Sequence, residues 1–224
     1  MELHSITRPM VDMLCNILRD AGQDKELRCS AAYIFGNLSE SRALDALSDV
    51  LGRRSDDRDV RQEAIRALGR MGGEKPFEIL ADVVDRDGDV TMIREEAAEI
   101  LVQTYKGRAW SVVGPCATDE NEELAETVIH MLVNADEPEA IEFLELLFMG
   151  APLSNDPSVP EEAIRKMHEL DAERSLPTLL RIVETANEDG ALFEAAVGLL
   201  KESHPNKLSA ALEHSGRAMP DLEE

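Results

Sequence analysis

The pattern of apolar and polar positions repeats along the chain every 33 residues. An aliphatic residue at Leu27, Val60, Ile93, Val159 and Leu192 is followed four positions later by Ala31, Ala64, Ala97, Ala163 and Ala196. The copy around Glu126 and His130 breaks this rule. Between these segments a second series, Leu14, Leu47, Leu80, Val113, Leu146, Leu179 and Leu212, keeps one phase throughout. A short unit cannot bury its apolar face alone, so self-similarity at this period predicts units that stack and share one core.

Each unit reads as two helices. In VRQEAIRALGRM, residues 60–71, the apolar positions Val60, Ala64, Ile65, Ala67, Leu68 and Met71 fall on one face of a 3.6-residue period. Asp59 with Gln62 is the expected capping pair, repeated as Ser158 with Glu161, with Pro160 in the first turn. Thr91 starts the third copy, and Asp119 with Glu122 the fourth. We call these the B helices. The intervening A helices are expected at 9–19, 42–51, 76–84, 138–149, 175–185 and 206–214. The segment 108–119, RAWSVVGPCATD, is the irregular member, because Gly114 and Pro115 stand where its A helix should continue. Trp110 shares the phase of Leu44, Phe77 and Phe143 and is expected in the core. Loops are short, and no Gly/Ser-rich or Pro-rich linker intervenes. The expectation is an all-α fold, a right-handed α-α superhelix of about six and a half helix pairs. A single solenoid domain would span 1–214, with a tail at 215–224.

Composition narrows the function classes. Aromatic residues make up only 4%, so aliphatic side chains must fill the helix interfaces. No stretch reaches the roughly 20 apolar residues of a membrane span, and MELHSITRPM lacks the pattern of a secretory signal. Cys15, Cys29 and Cys116 are too scattered for a disulfide framework or a zinc site, which points to a reducing cytoplasm. With 46 acidic against 23 basic residues the net charge is −23. Such a surface repels nucleic-acid phosphates and anionic lipid; it either favours basic partners or serves general solvation, the second being the expected reading.

LRCSAAYIFGNL, VRQEAIRALGRM and IREEAAEILVQT resemble the Val-Arg-x-x-Ala-x-x-x-Leu-Gly run of HEAT repeats, and most closely the HEAT-like variety found in phycobilin lyases. The resemblance implies a structural ladder between an Asp in the turn and an Arg at the second B-helix position. Arg28, Arg61 and Arg94 stand there, with Asp59 and Asp89 nearby, whereas later units carry Thr127, Pro160 and Phe193. It also implies that the B helices line a concave contact face. The polar positions of that face are Tyr33, Asn37, Gln62, Arg66, Arg70, Glu95, Glu99 and Gln103, then Glu162, Arg165 and Glu169. Arg66 and Arg70 make a small basic spot followed by an acidic stretch.

Catalytic chemistry finds little support in the residues. His4, His130, His168, His204 and His214 form no i, i+4 metal pair, and the single His168–Glu169 step disfavours the multiple His-Glu sites of HEAT-type hydroxylases. GRMGG, residues 69–73, lacks the Lys-Ser/Thr ending of a phosphate loop. No catalytic residue, metal ligand or cofactor is assigned. The leading expectation is a non-enzymatic scaffold, adaptor or assembly factor that binds a protein or peptide, basic in character if the acidic surface serves recognition. The alternative, implied by the family resemblance, is a bilin-lyase-type subunit that attaches or detaches a tetrapyrrole. Met10, Met13 and Leu14 at one end, with Leu208 and Leu212 at the other, leave room for end-to-end self-association.

Overall fold

The computed structural model describes residues 7–148, 159–187 and 190–217. These residues are helical or in short connections, with no strand among them. The chain divides into two compact units, Met1–Val113 and Gly114–Glu224. A and B helices alternate in each, as the 33-residue pattern predicts.

In the first unit the A layer contains α1 (Arg8–Arg19), α3 (Leu44–Gly52), α5 (Glu74–Val84) and the short α7 (Trp110–Val113). The B layer contains α2 (Lys25–Leu38), α4 (Arg58–Met71) and α6 (Thr91–Tyr105). Successive A helices pack on each other, successive B helices do the same, and the two layers meet across the core. Ala31, Ala64 and Ala97 lie in this core at 1% exposure or less. Small residues there let the helices approach closely.

The Leu-Gly end of the B motif has a separate steric reason. A Cβ on Gly36 would lie 2.7 Å from the Ala67 Cα, and one on Gly69 would lie 2.5 Å from Ile100 Cγ2. Successive B helices cross where the side chain is missing. Trp110 is fully buried, as its phase predicts.

The second unit opens with a 3-10 segment, Gly114–Thr118, so the A helix stops at the Gly-Pro step. It continues with α8 (Glu122–Val133), α9 (Ile141–Leu147), α10 (Val159–Leu170), α11 (Ala172–Thr185), α12 (Ala191–Ser203) and α13 (Pro205–Ser215). Here α8, α10 and α12 form the B series. In α8, Leu124, Val128 and Leu132 are buried while Glu126 and His130 are exposed, which is the slipped phase seen in the sequence.

Four expectations need correction. The seven-leucine series is not uniformly buried. Leu47, Leu80, Val113 and Leu179 are fully enclosed and Leu212 nearly so, but Leu14 is half-buried and Leu146 is 48% exposed. A 3-10 turn at Pro138–Ala140 precedes α9, and the helix turns Leu144 and Leu147 inward, leaving Leu146 outside. The opening aliphatic series also varies: Leu27 is 44% exposed, and Phe193 is buried beside a half-buried Leu192. The α4 cap is Asp57, whose carboxylate accepts from Asp59 N and Val60 N at 2.9 and 3.4 Å. Asp59 instead meets Lys25 Nζ at 2.6 Å. The α8 cap is Asn121 and not Asp119. Ser158 lies outside the described residues.

Candidate functional site: the polar face of the B layer

The ladder holds the first unit in register. Arg28 donates to both Asp56 oxygens at 2.6 and 2.8 Å, and its Nε donates to Leu18 O at 3.0 Å. Thirty-three residues later Arg61 repeats this with Asp89 at 2.8 and 2.5 Å, and with Leu51 O at 3.1 Å. Arg94 Nε donates to Val84 O at 2.7 Å. The acid of the rung is thus Asp56 or Asp89, and Asp59 takes no part.

Both acids are buried, as are the arginines facing them. Burial pushes each carboxyl pKa up. The arginine hydrogen bonds, the following backbone N–H and the nearby positive charges outweigh it, so both end below the usual range. The second unit meets the same carbonyl position differently. Phe193 occupies the arginine's place, and Arg217 lies over its ring at 5.4 Å while donating to Val183 O.

With the helices fixed, α2, α4 and α6 present one polar face. The structure brings several expected residues together there. The Arg70 guanidinium lies 5.0 Å from the centre of the Tyr33 ring, which is 54% exposed. Arg70 also meets Glu63 Oε1 at 2.5 Å. Arg66 Nε donates to Glu96 Oε1 at 2.8 Å, and Gln62 Nε2 donates to the other oxygen of Glu96 at 3.1 Å. The basic spot is therefore tied to carboxylates on α4 and α6. Asn37 and Gln103 are exposed at its margins. Glu99 has its pKa raised, by burial first and then by Glu96 and Glu95.

In the second unit α10 carries Glu162, Arg165 and Glu169, all exposed. Arg165 binds Glu161 at 2.9 Å and Glu169 pairs with Lys166 at 3.1 Å. Glu63 and Glu96, the hubs of the network in the first unit, were not among the residues expected from the sequence. Their signal was present: they stand 33 residues apart, and Glu63, Arg66 and Arg70 share one helical face.

Among the described residues no group of three or more His, Cys, Asp or Glu is placed to hold a metal ion. His168 Nδ1 lies 2.9 Å from Ser175 Oγ, a contact that could suggest an activated serine. The Ser175 hydroxyl, however, donates to Ala172 O at 2.9 Å, so its one hydrogen is committed to a helix carbonyl. The His168 pKa is lowered by burial and by His204. Among the described residues no helix is long and apolar enough to cross a membrane.

Residues 11–102 match the family model of HEAT repeats. This segment is a run of HEAT repeats. Its Arg28, Arg61 and Arg94 are the ladder arginines, and its α2–α4–α6 face is the polar surface described above. No curated protein matches the chain.

Solved structures similar to it include one from the complex of CpcE and CpcF of phycocyanin lyase from Nostoc sp. PCC7120. That match has 18% identity, covers 96% of this chain and 97% of the other, and has a TM-score of 0.47. An engineered protein matches at 18% identity over 90% and 97% of the two chains, with a TM-score of 0.43. Human deoxyhypusine hydroxylase in complex with glycerol matches at 18% identity over 96% and 91%, with a TM-score of 0.35. Likenesses this distant say nothing about activity or partner.

Proposed function

We propose that the chain is a non-enzymatic interaction module whose α2–α4–α6 face holds another protein or a peptide. One observation carries this reading: Tyr33, Arg70, Glu63, Arg66, Glu96 and Gln62 form a connected network across three successive helices on the exposed side of the layer. Long side chains already held in one arrangement lose less freedom on binding. Tyrosine and arginine are also the residue types that most often anchor interfaces. Glu95 and Glu99 add negative charge beside the network, so a segment bearing lysine or arginine is the favoured partner.

The test is affinity capture from the native host with two baits, the wild-type chain and the double variant Tyr33→Ala/Arg70→Glu. A protein held by the first and at least about tenfold depleted from the second is the expected result, with unchanged helical circular dichroism. Retention of nothing in mild salt, or equal retention by both baits, would refute the reading.

A further inference from the structure

Helix α1 carries a second surface that the B-layer face does not include. Met10 and Met13 are 46% and 54% exposed, and Ile17 beside them is half-buried. One repeat later the same positions are Ala43, Ala46 and Val50, all fully buried. A further repeat on they are Pro76, Ile79 and Val83, which are buried or half-buried. In α13 of the second unit, Leu208 and Ala211 hold the first two positions and are buried as well.

This phase is therefore the one that α3, α5, α11 and α13 turn into the stack, whereas α9 places Glu142 and Glu145 there. In α1 it is apolar and larger, and no helix of the first unit among the described residues covers it. The opposite side of α1 already has its partners, through Val11 and Leu18.

The surroundings of the patch set the character of what can cover it. Met13 and Ile17 line a shallow, open depression of about 500 Å³ together with Asp12, Asn16, Asp20 and Gln23. Asp20 accepts hydrogen bonds from Gly22 N at 2.9 Å and Gln23 Nε2 at 3.1 Å, and these hold its carboxyl below the usual range. It also sits at the C-terminal, negative end of the α1 dipole. The nearby cation Arg19 is engaged with Asp49 at 2.6 Å. The depression beside the patch is thus lined by two acids and no base, while the exposed Arg8 stands at the other end of α1. Two methionines make an apolar surface that adapts to the side chains laid on it. A second copy of the chain would bring another net charge of −23 to these acids.

We propose that the outer face of α1 docks an amphipathic helix of another protein, with apolar residues seated on Met10, Met13 and Ile17 and lysine or arginine side chains facing Asp12 and Asp20. The mode is helix on helix with a 3.6-residue spacing of anchors.

The probe is a synthetic, fluorescein-labelled helical peptide of about 18 residues, with leucines along one face and lysines on both flanks. A matched peptide carries glutamate in place of lysine. Fluorescence anisotropy with the full chain is expected to show saturable binding of the lysine peptide only. Met13→Glu should weaken it by about tenfold or more, and Asp12→Asn/Asp20→Asn by a few-fold. Glu184→Gln/Glu213→Gln, which removes equal charge at exposed positions of the second unit, should leave it unchanged. Met13 is exposed, so Met13→Glu keeps the fold, and circular dichroism checks this.

Equal binding to wild type and Met13→Glu would show attraction to the acidic surface at large and overturn the proposal. So would equal binding of the glutamate peptide. Light scattering that found a wild-type dimer made monomeric by Met13→Glu would name a second copy as the occupant and overturn it too.

Discussion

A guanidinium at 1% exposure, such as that of Arg61, needs a compensating partner, and Asp89 supplies it with two hydrogen bonds. Removing one member of such a pair costs about 3–5 kcal/mol, whereas replacing both by apolar groups is often neutral. The rungs thus specify register more than they add stability. The caps beside them show how much a single residue decides. Asp24 and Asp57 each accept a backbone hydrogen bond from the first turn of the following helix. The equivalent position before α6 is Val90, 49% exposed, whose side chain cannot accept one. Val90→Asp recreates the Asp56–Asp57 sequence beside Asp89. It is expected to stabilise the protein by about 1 kcal/mol, read as a higher urea midpoint at unchanged slope; a lower midpoint would contradict it.

Between residue and fold, the decisive quantity is the phase of each helix. The series containing Leu80 and Leu146 looked uniform because the spacing never changes, yet the two side chains have opposite surroundings. α9 enters the stack with Leu144 and Leu147 turned inward, and residue spacing does not record that rotation. Leu80→Asp is expected to unfold the first unit, since it buries an unpaired charge among Leu47, Val83 and Val84 in the same core. Leu146→Asp should change stability by no more than about 0.5 kcal/mol. Thermal melts of the two variants compare them directly; equal losses would mean that Leu146 is buried after all.

The same contrast marks what the sequence could reveal. Alternating A and B helices, the buried alanines and the core position of Trp110 were legible because burial is periodic. The caps were not, because Asp57 and Asp59 are both competent and only the turn geometry chooses between them. Glu63 and Glu96 were missed because pairing across helices depends on which side chains face each other, information that a single-helix period does not contain.

For the molecule as a whole, the charge of −23 and the buried rungs oppose each other as pH falls. Asp85 and Glu99 have raised pKa values, so they weaken the folded state at neutral pH, and protonation relieves this. Asp56 and Asp89 have lowered values, so their contribution is complete above the ordinary carboxyl pKa and is lost as pH falls through the folded one. Melting temperature should therefore hold or rise slightly from neutral pH to about pH 5, then fall steeply below about pH 4. Asp56→Asn/Asp89→Asn should melt lower at neutral pH and lose most of the acid step. An acid profile identical to wild type would remove the rungs from this account.

The arrangement at Phe193 bears on how far the ladder can vary. There the carbonyl of Val183 takes its hydrogen bond from Arg217, which follows α13, instead of from an arginine within the B helix. What the architecture demands is a donor at that oxygen, and different stretches of chain can deliver one. Arg28, Arg61 and Arg94 reach that oxygen from within their own B helices, and at Phe193 the chain beyond α13 reaches it instead. A rung lost from one helix is thereby made good by a side chain from elsewhere in the sequence.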